Sequence, residues 1–214
     1  MIVTAVERRR RRRRVDLFVD GRFALTLGAE LAAERDLRPG RSLTPAELSA
    51  LAQAEARRSA LESALRLLSY RARSERELRD RLRRTGFDRA AIVATMARLQ
   101  ELGYLDDAAF ARGWAETRQT LRPRSRRLLA SELRQRGVAQ ELAEQATADI
   151  SDEDAAYRAA ERRLKALAGL GYRPFRERLG RFLTSRGFSY DVARHTIDRC
   201  WSELEGERSN AESG

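Results

Sequence analysis

One pattern recurs three times along this chain and limits what it can become. Leu78, Leu82, Gly86 and Phe87 are echoed by Leu129, Leu133, Gly137 and Val138, and again by Leu179, Leu183, Gly187 and Phe188. Each copy is Leu-x3-Leu-x3-Gly followed by an apolar residue, and the copies stand about fifty residues apart. Leucines four apart share one face of a helix, and a glycine one turn later supplies the left-handed residue that stops it. Helical sequence lies on both sides, so each copy marks the second helix of a three-helix unit. A unit this small cannot bury its apolar face alone and must stack on its neighbours. The later units open alike, as Asp107-Ala108-Ala109-Phe110 and Asp154-Ala155-Ala156-Tyr157, which predicts the first helix of each. Third helices are predicted near residues 89–102, 139–149 and 190–205.

Ahead of the repeats the period changes to two. Val15, Leu17 and Val19 share one face, Phe23, Leu25 and Leu27 another, and Asp20-Gly21 lies between them as a hairpin turn. Ile2, Thr4 and Val6 predict a third strand. So small a sheet needs cover, which a short helix near 29–36 and a longer one opening at Thr44 can provide. Thr44-Pro45-Ala46-Glu47 combines a capping box with proline in the first turn, and no breaker follows until about Tyr70. Ser74-Glu75-Arg76-Glu77 and Ser151-Asp152-Glu153-Asp154 start later helices in the same way. The predicted fold is mainly α: three tandem three-helix repeats in an elongated array, preceded by a small antiparallel three-stranded α+β head. The head spans residues 1–58, the repeats 59–107, 108–154 and 155–205, and a polar, frayed tail 206–214. At 1.5 Å per helical residue three repeats in line would reach about 70 Å.

Charge says what such a surface would meet. Charged residues make up 35% of the 214, with a net charge of +11, and Lys165 is the only lysine. Guanidinium forks hold phosphate and carboxylate bidentately, so the balance favours a polyanion. Arg8, Arg9, Arg10, Arg11, Arg12, Arg13 and Arg14 run unbroken, either as a solvated turn of the head sheet or as an electrostatic handle. Arg76, Arg79 and Arg83 form one helical stripe opposite Leu78 and Leu82, and Arg127 and Arg134 repeat part of it. Arg84, Arg136 and the cluster Arg122, Arg124, Arg126 and Arg127 extend the basic surface; Arg176, Arg181 and Arg186 supply it in the third unit. The helices after the glycine turns carry few base-reading side chains, and Glu141, Glu144 and Asp149 would repel phosphate, which argues against a sequence-reading helix-turn-helix.

Catalytic constellations are missing from the pattern. His195 is the sole histidine and Cys200 the sole cysteine, so no Ser-His-Asp triad, disulfide or histidine-cysteine metal cluster can be assembled. No catalytic residue, metal or cofactor is expected. No stretch approaches the roughly 18 apolar residues of a membrane span, and the N-terminus lacks the order of a signal peptide, so a reducing cytoplasm is the expected home.

Four blocks complete the reading. They are Ser74-Glu75-x-Glu77-Leu78-x3-Leu82-x3-Gly86-Phe87; Leu99-x2-Leu102-Gly103-Tyr104-Leu105-Asp106-Asp107-x2-Phe110-Ala111; Glu132-Leu133-Arg134-Gln135-Arg136-Gly137-Val138; and Phe182-Leu183-x2-Arg186-Gly187-Phe188-Ser189-Tyr190. In this order they resemble the RecX regulatory proteins of bacteria over about two-thirds of the chain. The resemblance implies a non-enzymatic regulator of homologous recombination and DNA repair that lodges in the groove of the RecA filament on single-stranded DNA. It implies restraint of filament extension, ATPase and strand exchange, with RecA and single-stranded DNA as partners, while the residues themselves fit restraint and stabilisation alike; a monomer with no membrane contact is expected. A direct nucleic-acid binder acting without RecA is the alternative.

Overall fold

Asp20 and Gly21 hold φ at +48° and +76°, the pair of positive angles that a type I′ turn requires. They join strands β2 (Arg14–Val19) and β3 (Arg22–Gly28), and β1 (Val3–Arg8) completes an antiparallel sheet ordered β1-β2-β3. The structure, a computed structural model, describes residues 1–9 and 13–212. Ten helices follow among the described residues: α1 (Ala29–Glu34), α2 (Pro45–Tyr70), α3 (Glu75–Arg84), α4 (Arg89–Glu101), α5 (Asp107–Leu121), α6 (Arg126–Gln135), α7 (Gln140–Gln145), α8 (Asp152–Leu167), α9 (Tyr172–Ser185) and α10 (Tyr190–Glu212). They form two compact units, Met1–Arg73 with Leu78–Leu105, and Ser74–Glu77 with Asp106–Gly214.

In the first unit Val15, Leu17 and Val19 turn inward, under Leu31 of α1, Leu43 ahead of α2 and Leu51 within α2. Two expectations of facing fail at irregularities in the sheet. The register slips between Val3 and Ala5, so Val3 is fully buried while Ile2 is half exposed. A second slip between Leu17 and Phe18 leaves Phe23 exposed, edge-on to Phe18, instead of inside with Leu27. Helix α2 begins with the expected capping box: the Thr44 hydroxyl accepts from Glu47 N at 3.2 Å, and the Glu47 carboxylate accepts from Thr44 N at 2.7 Å. Along α2 Ala64 meets Leu78, Leu82, Ile92, Met96 and Leu99, the core beneath α3 and α4.

The second unit holds two further cores, Phe110, Ala111, Leu133, Val138 and Ala143, and then Ala155, Ala156, Ala159, Ala160, Phe175, Leu179, Leu183, Phe188 and Ile197. One fastening serves both. Asp107, in the first turn of α5, accepts from Glu75 N at 2.8 Å, and Asp152, in the first turn of α8, accepts from Arg126 N at 2.7 Å. Matching Asp107 with Asp152 pairs Phe110, Ala111 and Ala115 with Ala155, Ala156 and Ala160, all buried. The sequence match of Phe110 with Tyr157 was therefore two residues out of register. The first-turn carboxylate of α5 and α8 is what these two repeats share, and the aromatic is not.

Two helix ends also differ from expectation. α7 stops at Gln145 because Thr147, Ala148 and Ile150 take carbonyls three residues back, and the Thr147 hydroxyl bonds the Ala143 carbonyl at 2.9 Å. α10 continues to Glu212 where a frayed tail was expected from 206. Gly206 alone costs it about 1 kcal/mol, and an Arg199–Glu203 pair at 3.0 Å supports the preceding turns.

Candidate polyanion interface

The arginines singled out by spacing fall into three kinds of environment. Arg122, at the end of α5, and Arg126, Arg127 and Arg134, on α6, are exposed, and their side chains have no hydrogen-bond or ion-pair partner among the described residues. Their helix is held from beneath by Leu129 and Leu133, both fully buried, which turns the guanidiniums to solvent. On α3 Arg76, Arg83 and Arg84 are exposed and Arg79 half-buried. Arg83 lies 3.5 Å from Asp80, Arg84 donates to the Asp80 carbonyl at 3.3 Å, and the aliphatic stem of Arg76 lies against Gly137.

A second group is turned inward. Arg136 lies on the Trp114 ring, 3.8 Å from its centroid, with Arg118 at 4.3 Å on the same indole. Arg136 Nη1 also meets Glu77 at 2.5 Å, Arg124 contacts Glu132, and Trp114 Nε1 donates to Glu132 at 3.3 Å. Arg186 donates to the Pro123 carbonyl at 3.2 Å and covers Phe182. Arg124, Arg136 and Arg186 are thus joints of the unit, not free docking groups. Burial, then repulsion from neighbouring arginines, pushes Arg118, Arg124 and Arg186 below their ordinary values. Guanidiniums outnumber carboxylates here, so the region projects positive potential although its members are engaged.

At the head, Arg10, Arg11 and Arg12 lie outside the described residues. Arg14 is structural: its Nη2 reaches buried Glu55 at 2.6 Å and the Thr26 carbonyl at 3.2 Å, and Glu55 also accepts from Gly28 N at 2.9 Å. Arg9 pairs with Asp16 at 2.9 Å, Arg13 stands 3.9 Å from Glu30, and Arg8 is exposed.

The third environment is a groove between α9 and α10, about 1160 Å³ in volume, lined by Arg176 and Arg181 and by Tyr172 and Tyr190, which spacing did not single out. Gly180 stands at its floor beside Ile197. A Cβ at 180 would sit 3.6 Å from Ile197 Cδ1, an ordinary contact, and the helical backbone there needs no glycine. Gly180→Ala should therefore raise stability by about 1 kcal/mol, read as a higher denaturation midpoint.

Comparison with known proteins is decisive about kinship. Models of the first, second and third three-helix domains of RecX match residues 60–99, 106–146 and 151–197. The regulatory protein RecX of Bacillus licheniformis is 30% identical over 182 residues, 84% of this chain and 69% of its own. The chain belongs to the RecX family. RecX of Lactobacillus delbrueckii subsp. bulgaricus is 29% identical over 98% of this chain and 79% of its own. The crystal structure of a regulatory protein RecX shares the fold at a TM-score of 0.66 and 20% identity, covering 92% of this chain and 98% of its own. RecX from Lactobacillus salivarius does so at 0.58 and 24%, covering 71% and 98%.

The rest of the surface of this RecX member offers little chemistry. His195 is exposed, and Cys200 is buried, its thiol pushed up to about 11 by burial. Among the described residues no group of histidine, cysteine and carboxylate side chains could hold a metal, and no helix is long and apolar enough to cross a membrane. Glu132 and Glu77, the carboxylates that gather the inward arginines, carried no helix-spacing signal, because the partner of Glu77 lies 59 residues away and those of Glu132 are Arg118 on α5 and Arg124 ahead of α6.

Proposed function

We propose that this RecX protein binds the filament formed by RecA on single-stranded DNA and restrains its extension, ATP hydrolysis and strand exchange. A monomeric, cytoplasmic regulator without catalysis of its own is part of this reading. The observation that carries it is the set of exposed guanidiniums at Arg122, Arg126, Arg127 and Arg134, unpartnered among the described residues and set on a rigid helical support. Unneutralised charge on a fixed scaffold favours an anionic partner and speeds encounter with it. Family membership directs that partner to RecA, and several modest contacts along a repeating lattice add by avidity.

The test is RecA's ATPase on single-stranded DNA with this protein at stoichiometric amounts. Inhibition is expected, and an unchanged rate would sink the reading. Changing Arg122, Arg127 and Arg134 together to glutamate should keep the circular dichroism and weaken filament binding on the order of tenfold or more. Equal affinity for bare and RecA-coated strands at physiological salt would instead favour a nucleic-acid binder that needs no RecA.

A further inference from the structure

The groove between α9 and α10 departs from the repeat in which it sits. α9 has 14 residues against 10 in each of α3 and α6, and the additional first turn carries Tyr172. Counted from the turn glycines, Tyr190 stands where the other repeats have Gln140 and Arg89, and Gly180 where they have Ala130 and Arg79. Tyr190 is 70% exposed and Tyr172 42%. What sets this pair apart is that both exposed rings line one groove, where a single ligand can cover them together. Tyr172 is held edge-on to Trp201 at 5.3 Å and donates to Asp198 at 3.2 Å, so its ring is fixed in place before any ligand arrives.

The charge in the groove is unbalanced in the same direction. Its two carboxylates are already paired, Glu177 with Arg173 at 3.5 Å and Asp198 with Arg194 at 3.9 Å. Arg176 has no side-chain partner among the described residues, and Arg181 donates only to the Glu177 carbonyl at 3.3 Å. At about 1160 Å³ and open to solvent, the space exceeds the roughly 300–1,000 Å³ typical of a small-molecule pocket. Free guanidiniums interleaved with exposed aromatic faces are the pairing that single-stranded nucleic acid rewards, since phosphates take the charge and unstacked bases take the rings. An acidic protein surface would use the arginines but has no unstacked bases to lay flat on the two rings.

We propose that this groove holds a short run of single-stranded nucleic acid, its phosphates on Arg176 and Arg181 and its bases against Tyr190 and Tyr172. Gly180 keeps the floor open down to Ile197. This deepens the filament reading by giving the regulator its own grip on the strand, and rests on that reading only for the setting in which the strand is met.

The full chain should be titrated against a fluorescent single strand of about 15 nucleotides, an abasic strand of equal length, and the matching duplex. Tyr190→Ala is the clean variant, because that ring makes no aromatic contact or hydrogen bond among the described residues. It should bind the single strand about 5- to 150-fold more weakly, while Tyr190→Phe binds like the parent. The abasic strand should not respond to Tyr190→Ala, and the duplex should compete poorly. Gly180→Leu, which fills the floor, should also weaken binding, with its denaturation midpoint measured alongside to show that it is folded. The proposal is overturned if the parent fails to bind at low salt, if Tyr190→Ala binds unchanged, or if duplex or polyglutamate competes as well as the single strand. RecA ATPase with the parent protein is a separate measurement: its failure would remove the filament reading and leave the groove standing, and the reverse holds for the oligonucleotide titration.

Discussion

Leu133→Ala and Leu82→Ala should each lower the stability of their unit by about 2–5 kcal/mol, measured as a shift in denaturation midpoint. Both leucines are fully buried, Leu82 beneath Ile92, Met96 and Leu99, and Leu133 among Phe110, Val138 and Ala143. Truncation removes the transfer energy of the missing carbons and leaves a void that helices fixed at both ends cannot fully close. Leu121 is the control. It is 64% exposed, so Leu121→Ala should change stability by no more than about 0.5 kcal/mol. Similar losses at all three positions would mean that the leucine pattern does not mark the cores.

Among the turn glycines, Gly137→Ala and Gly187→Ala should cost clearly more than Gly86→Ala. All three have positive φ, +96° at Gly86, +88° at Gly137 and +84° at Gly187, so each alanine bears the left-handed penalty of about 1–2 kcal/mol. At Gly86 nothing lies within 4 Å of the added carbon, and that penalty is the whole effect. At Gly187 the carbon would sit 2.6 Å from Ser125 Oγ and 2.7 Å from Leu128 Cβ; at Gly137 it would overlap the stem of Arg76. Displacing these neighbours adds overpacking of about 1–3 kcal/mol. Thermal melts of the three variants rank them, and equal losses would show that close approach contributes nothing.

Much of this fold was legible because its signals are local. The paired leucines, the glycine stops, the Thr44 and Ser151 caps and the Asp20-Gly21 turn each act within a few residues, and each is found where spacing put it. What escaped depends on distant or irregular geometry. The two register slips in the sheet reversed the facing of Val3 and Phe23, and no alternation of residue types announces a bulge. Charge patterning ranked arginines by position on a helix, but whether a guanidinium is spent internally is decided by partners far along the chain. Arg134 and Arg136 stand only two residues apart, yet Arg136 stacks on Trp114 and meets Glu77 while Arg134 points to water. Trp114 packs half-buried against the Phe110 and Leu133 core and carries a guanidinium on its ring, a contact that no local spacing announces. Tyr172 and Tyr190 did carry a legible signal, aromatic residues at places where the sister repeats are polar, which only a strict alignment on the turn glycine brings out.

The fastening at the start of α6 has a consequence for dissection of the molecule. Ser125 N donates to the Arg186 carbonyl at 3.0 Å and Arg126 N to Asp152 at 2.7 Å, so two amides at that helix's opening are satisfied by residues that come later in the chain. A fragment ending near residue 150 would leave both donors orphaned and uncover Ser125, which is fully buried. Autonomy therefore does not follow from repetition here. The second and third repeats should melt together, and a truncated half would report on a damaged protein, not on an isolated module.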